Sequence, residues 1–372
     1  MTVGAALFVY AVLLGTLGPL AYRRAGWLAR APRLGAILLL TAGWSVLAAL
    51  FLAGLTVALP ATALSSGLSD LLDACIVRLR AAYVTPGGAA VAGAGLTLSG
   101  VIALRVARAV VQLARARRAE RRRHRTLVAL CGTHAAELDA VIIDHPQPAA
   151  YCLADRSDTV ILTSSAIALL TPPQVAAVLA HEQAHLGARH HRLLAAAAFA
   201  GRALPELPLL RELTAQVRPL LEMHADDLAA RSHDPETLAT ALVAVSTARP
   251  RGATSGTPSA ALAAADTDAG ARIRRLLLPP AALSPRRRRT LRAGIAALGL
   301  IPLLVALTPA AVAANQPPVK RPQVAAVHER SAEADRALIS RGPLRVMGAD
   351  QYPYPSALPR AAGSRRPRHR PN

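Results

Sequence analysis

Residues 179–187 read LAHEQAHLG, and two histidines in this stretch, His181 and His185, stand four positions apart with Glu182 directly after the first. Shuffling this composition would produce H-E-x-x-H only about 0.01 times per chain, so coincidence is a weak explanation. On an α-helix the two histidines lie ~40° apart in projection, and both imidazoles therefore face one point. Glu182 lies ~100° from His181, beside that point rather than on it. The pattern predicts two metal ligands and a neighbouring base that takes a proton from metal-bound water.

The residues around the motif predict a long, buried helix. Thr171, Pro172 and Gln174 form a helix start signal, with a capping hydroxyl, proline at the first helical position and glutamine at the third. The residues that follow, as far as about 201, are good helix formers without proline. An exposed polar stripe is the alternative, but Ala and Leu flank both histidines. A buried imidazole pair would be costly without a ligand to satisfy it.

A catalytic zinc ion needs a third protein ligand and an open position. Glu222 is the favoured ligand, because Pro219 can begin a new helix on which Asp226 follows Glu222 by one turn on the same face. Asp226 would then orient a ligand imidazole from behind. An acidic turn on a helix surface is the alternative, and His224, ~200° from Glu222, is expected to tolerate change. The other candidate ligands are Glu206, Glu212, His190, His191, His224 and His233.

Composition limits the classes of function. The chain is 53% hydrophobic and 3% aromatic, and its net charge of +21 comes almost entirely from arginine, with Lys320 the single lysine. This enrichment in Ala, Arg and Pro is typical of a GC-rich genome. Because no aromatic interleaving or reader motif accompanies the charge, we do not expect direct nucleic-acid binding. Cys75, Cys131 and Cys152 form neither a disulfide framework nor a zinc knuckle, and we expect them to be small buried residues.

Four apolar segments are long enough to cross a bilayer: residues 2–20, 34–59, about 85–104 and 291–314. The third is expected to continue as a helix through the arginine-rich residues 105–125. Arginines concentrate after the first and third segments and before the fourth, and the positive-inside rule places those regions in the cytoplasm. The loop 61–83 is mixed in charge and suits the outside. We therefore expect a multi-pass membrane protein with its N-terminus outside, its metal-binding region cytoplasmic and its C-terminal tail outside.

The expected fold class is α+β, mainly helical. Residues 1–116 would form a three-helix membrane anchor, 117–285 a cytoplasmic metal-binding domain, 286–314 the fourth span and 315–372 a disordered Pro/Arg-rich tail. Residues 249–270 predict a loop. Short β-prone runs at 139–144, 151–154 and 159–162 predict a small sheet, with a hairpin turn between the last two. One of its edges could bind extended substrate, although ordinary structural strands explain the runs equally well.

H-E-x-x-H at 181–185 followed by E-x-x-A-D at 222–226 resembles the gluzincin metallopeptidases of membranes. The closest similarity is to the BlaR/MecR-type antirepressor peptidases, whose cytoplasmic zinc domain is held between transmembrane helices; it covers roughly residues 120–235 and the arrangement of spans. The resemblance implies one Zn²⁺ per chain bound by His181, His185 and Glu222, with Glu182 as general base and Asp226 behind the ligands. Only residues 315–372 follow the fourth span, so we do not expect that family's extracellular penicillin-binding sensor domain.

The residues and the resemblance together predict an integral-membrane zinc endopeptidase. Its partners would be the lipid bilayer and a protein or peptide substrate, such as a cytoplasmic transcriptional repressor. One alternative is an HtpX-like quality-control protease. That family has hydrophobic spans between the histidine pair and the third ligand, whereas residues 193–204 here are too short for a span and include Arg202. The other is a non-catalytic membrane receptor, against which Glu182 argues. The residue that stabilises the transition state stays open among Tyr151, Arg231 and His233.

Overall fold

The computed structural model describes residues 2–58, 88–154, 158–248 and 269–314. The described helices are α1 (Thr2–Arg23), α2 (Pro32–Ala58), α3 (Gly88–Cys131), α4 (Ser164–Leu169), α5 (Pro172–Gly187), α6 (His190–Ala203), α7 (Pro208–Ala229), α8 (Pro235–Thr247), α9 (residues 269–277) and α10 (Pro285–Ala314). The strands are β1 (Gly132–Ala135), β2 (Ala140–Ile143), β3 (Ala150–Leu153) and β4 (Thr159–Thr163). The expected combination of many helices with a small sheet is confirmed. The expectations for the loop 61–83, Cys75, most of 249–270 and the tail 315–372 lie outside the described residues.

Four of the described helices are long and apolar enough to cross a membrane: Val3–Arg23, Pro32–Ala58, Gly88–Cys131 and Pro285–Thr308. They correspond to the four segments expected from the sequence, and α3 continues through the arginine-rich stretch as predicted. Helix α2 is largely buried among its neighbours. Helices α1, α3 and α10 instead leave large apolar side chains exposed, among them Leu17, Leu104 and Leu304. Exposed apolar surface of this kind is typical of faces that contact lipid or a partner.

The sheet is mixed and has the strand order β1-β2-β4-β3. Strand β2 runs parallel to β4, whereas the β1–β2 and β3–β4 pairs are antiparallel. The three runs predicted from the sequence are present as β2, β3 and β4, and β1 was not anticipated. Part of the predicted hairpin turn, residues 155–157, lies outside the described residues. Strand β3 is at the edge of the sheet and packs against α5, so this edge borders the helix that carries the histidine pair.

Helix α5 begins at Pro172 as predicted, and the backbone N–H of Thr171 donates to Oε1 of Gln174 at 3.0 Å. The prediction of one helix as far as residue 201 is wrong. Helix α5 ends at Gly187, and Arg189 adopts a left-handed conformation with φ of 54° before α6 begins at His190. This single left-handed residue redirects the chain. It brings His190 back against His185, which a continuous helix would not do.

Helix α7 passes through Pro219, so the prediction that Pro219 begins a new helix is also wrong. Proline removes a backbone hydrogen bond and usually breaks a helix interior. Here Leu213 and Leu220, on either side of the proline, are buried in the core cluster and favour a continuous helix. Glu222 and Asp226 therefore lie in the C-terminal part of a long helix that begins at Pro208.

Helix α7 packs closely against α2, and a glycine allows the approach. A Cβ atom on Gly43, in the middle of α2, would lie 2.8 Å from Cδ2 of Leu213. Gly15 of α1 likewise faces Leu207, in the turn between α6 and α7. Residues of α1, α2, α6 and α7 share one buried core cluster. Because the candidate spans and the histidine-bearing region form one compact unit, experiments on this protein require the full-length chain.

Candidate metal centre

The packing of α5 against α7 brings three of the sequence-predicted residues together. His181 and His185 lie one turn apart on α5, and their Nε2 atoms are 3.2 Å from each other. Oε2 of Glu222, on α7, is 3.5 Å from Nε2 of His181 and 3.7 Å from Nε2 of His185. The three side chains thus present one ligand atom each to a common point.

The spacing of these atoms fits a zinc ion. A tetrahedral zinc with bonds of ~2.0–2.2 Å keeps its ligand atoms roughly 3.3–3.6 Å apart. The three measured separations, from 3.2 to 3.7 Å, lie close to that range. Two imidazoles and one carboxylate are three protein ligands, the number found in catalytic zinc sites rather than the four of structural ones.

Asp226 lies behind His181 and is almost completely buried. Its Oδ1 atom is 2.9 Å from Nδ1 of His181, the ring nitrogen on the side away from Glu222 and His185. Arg272 of α9 donates to both Asp226 oxygens, from Nε at 2.8 Å and from Nη2 at 2.7 Å. Nη1 of Arg272 is also 3.2 Å from Oε2 of Glu222. One guanidinium therefore joins the two carboxylates and restricts the orientation of His181 through Asp226.

The sequence interpretation missed Arg272. The only available signal was that Arg272 and Arg275 repeat at a helical interval, as basic partners of the two adjacent aspartates, Asp226 and Asp227, would require. Arg275 indeed pairs with Asp227, through Nη2 and Oδ2 at 3.0 Å. Such a pairing links two helices that are far apart in sequence, and spacing within either helix cannot reveal it.

The neighbouring carboxylates determine the charge of His181 when no metal is bound. Burial alone would lower the pKa of His181, but Asp226 and Glu222 outweigh it and raise that pKa to about 9. Burial alone would raise the pKa of Glu222, yet His181, His185 and Arg272 hold that pKa well below its usual value. When no metal is bound, His181 is therefore protonated at neutral pH. Because a metal binds only the neutral imidazole, metal binding must release this proton.

A second chain of imidazoles supports His185. Nδ1 of His190 is 3.0 Å from Nδ1 of His185, and Nε2 of His190 is 2.8 Å from Nδ1 of His224. His190 is 1% exposed, and burial together with His185 and His224 lowers its pKa to about 3. His190 is thus neutral at physiological pH and can donate a proton from one ring nitrogen while it accepts at the other. His190 and His224 thus orient His185, as Asp226 orients His181.

This arrangement corrects the expectation for His224. The sequence placed its side chain away from Glu222 and predicted that it would tolerate change, but His224 is 9% exposed and contacts His190. On the side of α7 away from Glu222, His224 packs against His190 and borders a cavity. His190, a candidate ligand, contacts the ring nitrogen of His185 opposite the metal-facing one, so it supports a ligand instead of binding the metal.

The other candidate ligands lie in different surroundings. Glu206 pairs with Arg105 at 2.6 Å, and Glu212 accepts from the hydroxyl of Tyr22 at 2.6 Å. Nδ1 of His191 is buried and has no hydrogen-bond partner among the described residues. His233 contacts the neighbouring Ser232 hydroxyl at 3.1 Å. Within the described residues, only His181, His185 and Glu222 form a cluster with metal-ligand spacing.

Glu182 faces the edge strand. The thiol of Cys152, on β3, lies close to the Glu182 carboxylate. Burial of the thiol, with the nearby charge of Glu182, raises the pKa of Cys152 to about 12, so the thiol stays protonated at neutral pH. Cys152 is partly buried, but Cys131 is exposed at the end of α3, which contradicts the expectation of a buried residue there. Glu182, the proposed metal ligands and the edge of the sheet therefore lie in the same region of the protein.

Of the three residues left open for transition-state stabilisation, Tyr151 lies on β3 and its ring contacts that of His124. Burial raises the pKa of the Tyr151 phenol, which therefore remains a proton donor at neutral pH. Arg231 follows the end of α7 and lines a cavity together with His224. None of these contacts singles out one of the three residues.

Replacing His190 by phenylalanine should weaken zinc binding. The substitution keeps an aromatic ring, but the contact that orients His185 is lost, and losing a partner of this kind typically costs ~10–100-fold in affinity. Competition against a fluorescent chelator would measure the affinity of the full-length protein. His191→Phe is the matched control, since this neighbour has no ring hydrogen bond to a described residue and should change affinity less than threefold. Equal affinities of His190→Phe and wild type would contradict a supporting role.

Residues 114–205 match the model of peptidase family M48. The matched segment extends from the C-terminal part of α3 through α6 and contains His181, Glu182 and His185, whereas Glu222 and Arg272 lie beyond it. The match indicates a metallopeptidase, and peptidases of this family typically use zinc. Comparisons with curated proteins and with solved structures give no significant match.

Proposed function

We propose that this protein is an integral-membrane zinc endopeptidase of the gluzincin type that cleaves one or a few cytoplasmic proteins, such as a transcriptional repressor. The observation that carries the proposal is the convergence of His181, His185 and Glu222 beside Glu182. These three residues would bind one zinc ion per chain, with Asp226 behind His181. The match to family M48 supports the reaction class, and the resemblance to BlaR/MecR-type antirepressor peptidases motivates the choice of substrate.

The chemistry assigned to Glu182 follows from its position. A zinc ion bound there supplies Lewis acidity, which polarises a peptide carbonyl and makes water more acidic. Glu182 would accept the proton of the attacking water and then pass it to the amine that leaves. The Cys152 thiol of β3 lies close to the Glu182 carboxylate, so the proposed base borders the edge strand.

The edge of β3 is the proposed binding surface for the substrate backbone. Strand β3 pairs with β4 on one side, and its other side has no strand neighbour among the described residues. An extended peptide can add to such an edge through main-chain hydrogen bonds. Because Cys152 of β3 contacts Glu182, a peptide on this edge would pass directly beside the base.

The proposed membrane placement follows the distribution of arginine. Residues 1–116 would anchor the chain with three spans, 117–285 would be the cytoplasmic peptidase domain and 286–314 the fourth span, with the tail outside. The α6–α7 pair supports a regulatory rather than an HtpX-like protease. Neither helix is among the four candidate spans, and both contribute to the shared core.

Quantitative proteomics would test the substrate class. Cells that express wild-type protein are compared with cells that express Glu182→Gln, a variant expected to keep the fold and lose cleavage. A regulatory protease predicts that one or a few cytoplasmic proteins accumulate uncleaved in the variant cells. Broad accumulation of membrane proteins would instead indicate quality control, and no accumulation of any protein would indicate a receptor without catalysis.

A further inference from the structure

A cavity of about 990 Å³ lies between the N-terminal turns of α2 and α10, with the C-terminal end of α7 on its third side. Its size is within the range of small-ligand sites, about 300–1,000 Å³. The two long helices contact each other beyond it: the Ser45 hydroxyl of α2 donates to the carbonyl of Leu298 in α10 at 2.9 Å. The cavity therefore occupies a gap at the end of two helices that are each able to cross a membrane.

The polar lining of the cavity is strongly basic. Its arginines come from three separate parts of the chain: Arg30, Arg33, Arg231, Arg288 and Arg292. None of the five forms an ion pair with a residue in the described part of the chain. The one carboxylate in the lining, Asp227, is already paired with Arg275 of α9. The lining thus carries an excess of positive charge that an anion would neutralise.

The remaining lining is apolar. Leu34 and Ile37 of α2 and Ile295 and Leu300 of α10 also line the cavity. A ligand that satisfies both parts must carry an anionic group next to a hydrocarbon chain. A free phosphate would leave the apolar wall without a partner, and an acidic peptide has no reason to enter between two membrane-spanning helices.

We propose that this cavity binds one anionic phospholipid, with the headgroup phosphate among the arginines and an acyl chain against the apolar wall. Basic pockets at the cytoplasmic ends of membrane helices bind such headgroups. The inference rests on the membrane placement proposed above but not on peptidase activity. The inference concerns the cavity and not the whole arginine run at 286–289. Arg288 lines the cavity, whereas Arg286 and Arg287 do not.

The test measures lipid binding to delipidated full-length protein in detergent by native mass spectrometry. The probe is dioleoyl phosphatidylglycerol, with dioleoyl phosphatidylcholine as the zwitterionic lipid of equal chain length. The variant Arg288→Gln/Arg292→Gln is compared with Arg286→Gln/Arg287→Gln, which removes the same charge from the same helix end. Arg231→Gln, outside the candidate spans, provides an independent single variant. Thermal unfolding in the same detergent checks that every variant is folded.

We expect one tightly bound phosphatidylglycerol per chain and no comparable binding of phosphatidylcholine. Two arginines next to a phosphate contribute about 30-fold in affinity, so Arg288→Gln/Arg292→Gln should bind about 30-fold more weakly. Arg231→Gln should also weaken binding, and Arg286→Gln/Arg287→Gln should bind nearly as wild type. Equal losses of phosphatidylglycerol affinity in both double variants would show that binding depends only on diffuse surface charge, and this result would overturn the proposal. Competition by glycerol 1-phosphate at similar affinity would assign the cavity to a soluble phosphate, and displacement by a glutamate-rich peptide would assign it to a protein partner.

Discussion

Full-length protein carrying Glu222→Ala is expected to purify without zinc and without peptidase activity. Among the described residues, Glu222 is the only one whose carboxylate lies within 4 Å of both histidines, with Oε2 3.5 Å and 3.7 Å from their Nε2 atoms. Two imidazoles alone do not complete the three-ligand set of a catalytic zinc. The loss of affinity should exceed the ~10–100-fold that removal of a supporting residue behind a ligand costs. The zinc content of the purified variant, determined after one equivalent of zinc has been added, measures this loss of affinity.

Two further variants separate a ligand from its neighbours. Asp226→Asn keeps the side-chain volume but weakens the contacts with His181 and Arg272, so zinc affinity should fall ~10–100-fold rather than vanish. Glu212→Ala is the control on the same helix, because Glu212 pairs with Tyr22 and Arg23 instead of the histidines. It should keep its zinc. A Glu222→Ala protein that retains one tightly bound zinc would exclude Glu222 as the third ligand.

Glu182→Gln should retain zinc and lose cleavage. The amide has nearly the same shape as the carboxylate but cannot accept the proton of the attacking water, and general-base catalysis contributes about 10²–10⁴-fold to the rate. We therefore expect kcat/KM on a quenched fluorescent protein substrate to fall by that factor, while zinc content stays at one per chain. The measurement uses full-length protein in detergent or nanodiscs.

The neighbouring residue supplies the control for this prediction. Gln183 is exposed on the next position of α5, so Gln183→Ala should cleave at the wild-type rate. Wild-type activity in Glu182→Gln would show that Glu182 does not act as the general base. Loss of zinc from Glu182→Gln would show that the substitution disturbs the ligands, and the assigned role as base would then fail as well.

The sequence alone was sufficient for the features that depend on local pattern. Long apolar runs identified the four candidate spans, because few other structures need twenty consecutive apolar residues. The spacing of His181 and His185 was informative since one helical turn brings them to the same side. Glu222 was ranked first by a similar argument, although the reason given for its helix, a start at Pro219, was wrong.

Features that depend on tertiary packing were not accessible. The left-handed Arg189 is neither glycine nor asparagine, so nothing in its identity marked the end of α5. The burial of His224 depends on His190, which reaches it only because the chain turns at Arg189. Arg272 pairs with Asp226 across a long sequence separation. The positions of His224 and Arg272 depend on contacts between helices that lie far apart in the sequence, and helical periodicity carries no information about such contacts.

The zinc K-edge X-ray absorption spectrum of the full-length protein, loaded with one equivalent of zinc, tests the central claim most directly. The site of His181, His185 and Glu222 predicts two imidazole nitrogens and oxygen ligands, all at ~2.0–2.2 Å, with no sulfur. Because Cys152 lies beside Glu182, the absence of a sulfur ligand is a meaningful part of this prediction. A scatterer at ~2.3 Å would identify a cysteine ligand, and the assignment of two histidines and Glu222 as the complete protein ligand set would be contradicted.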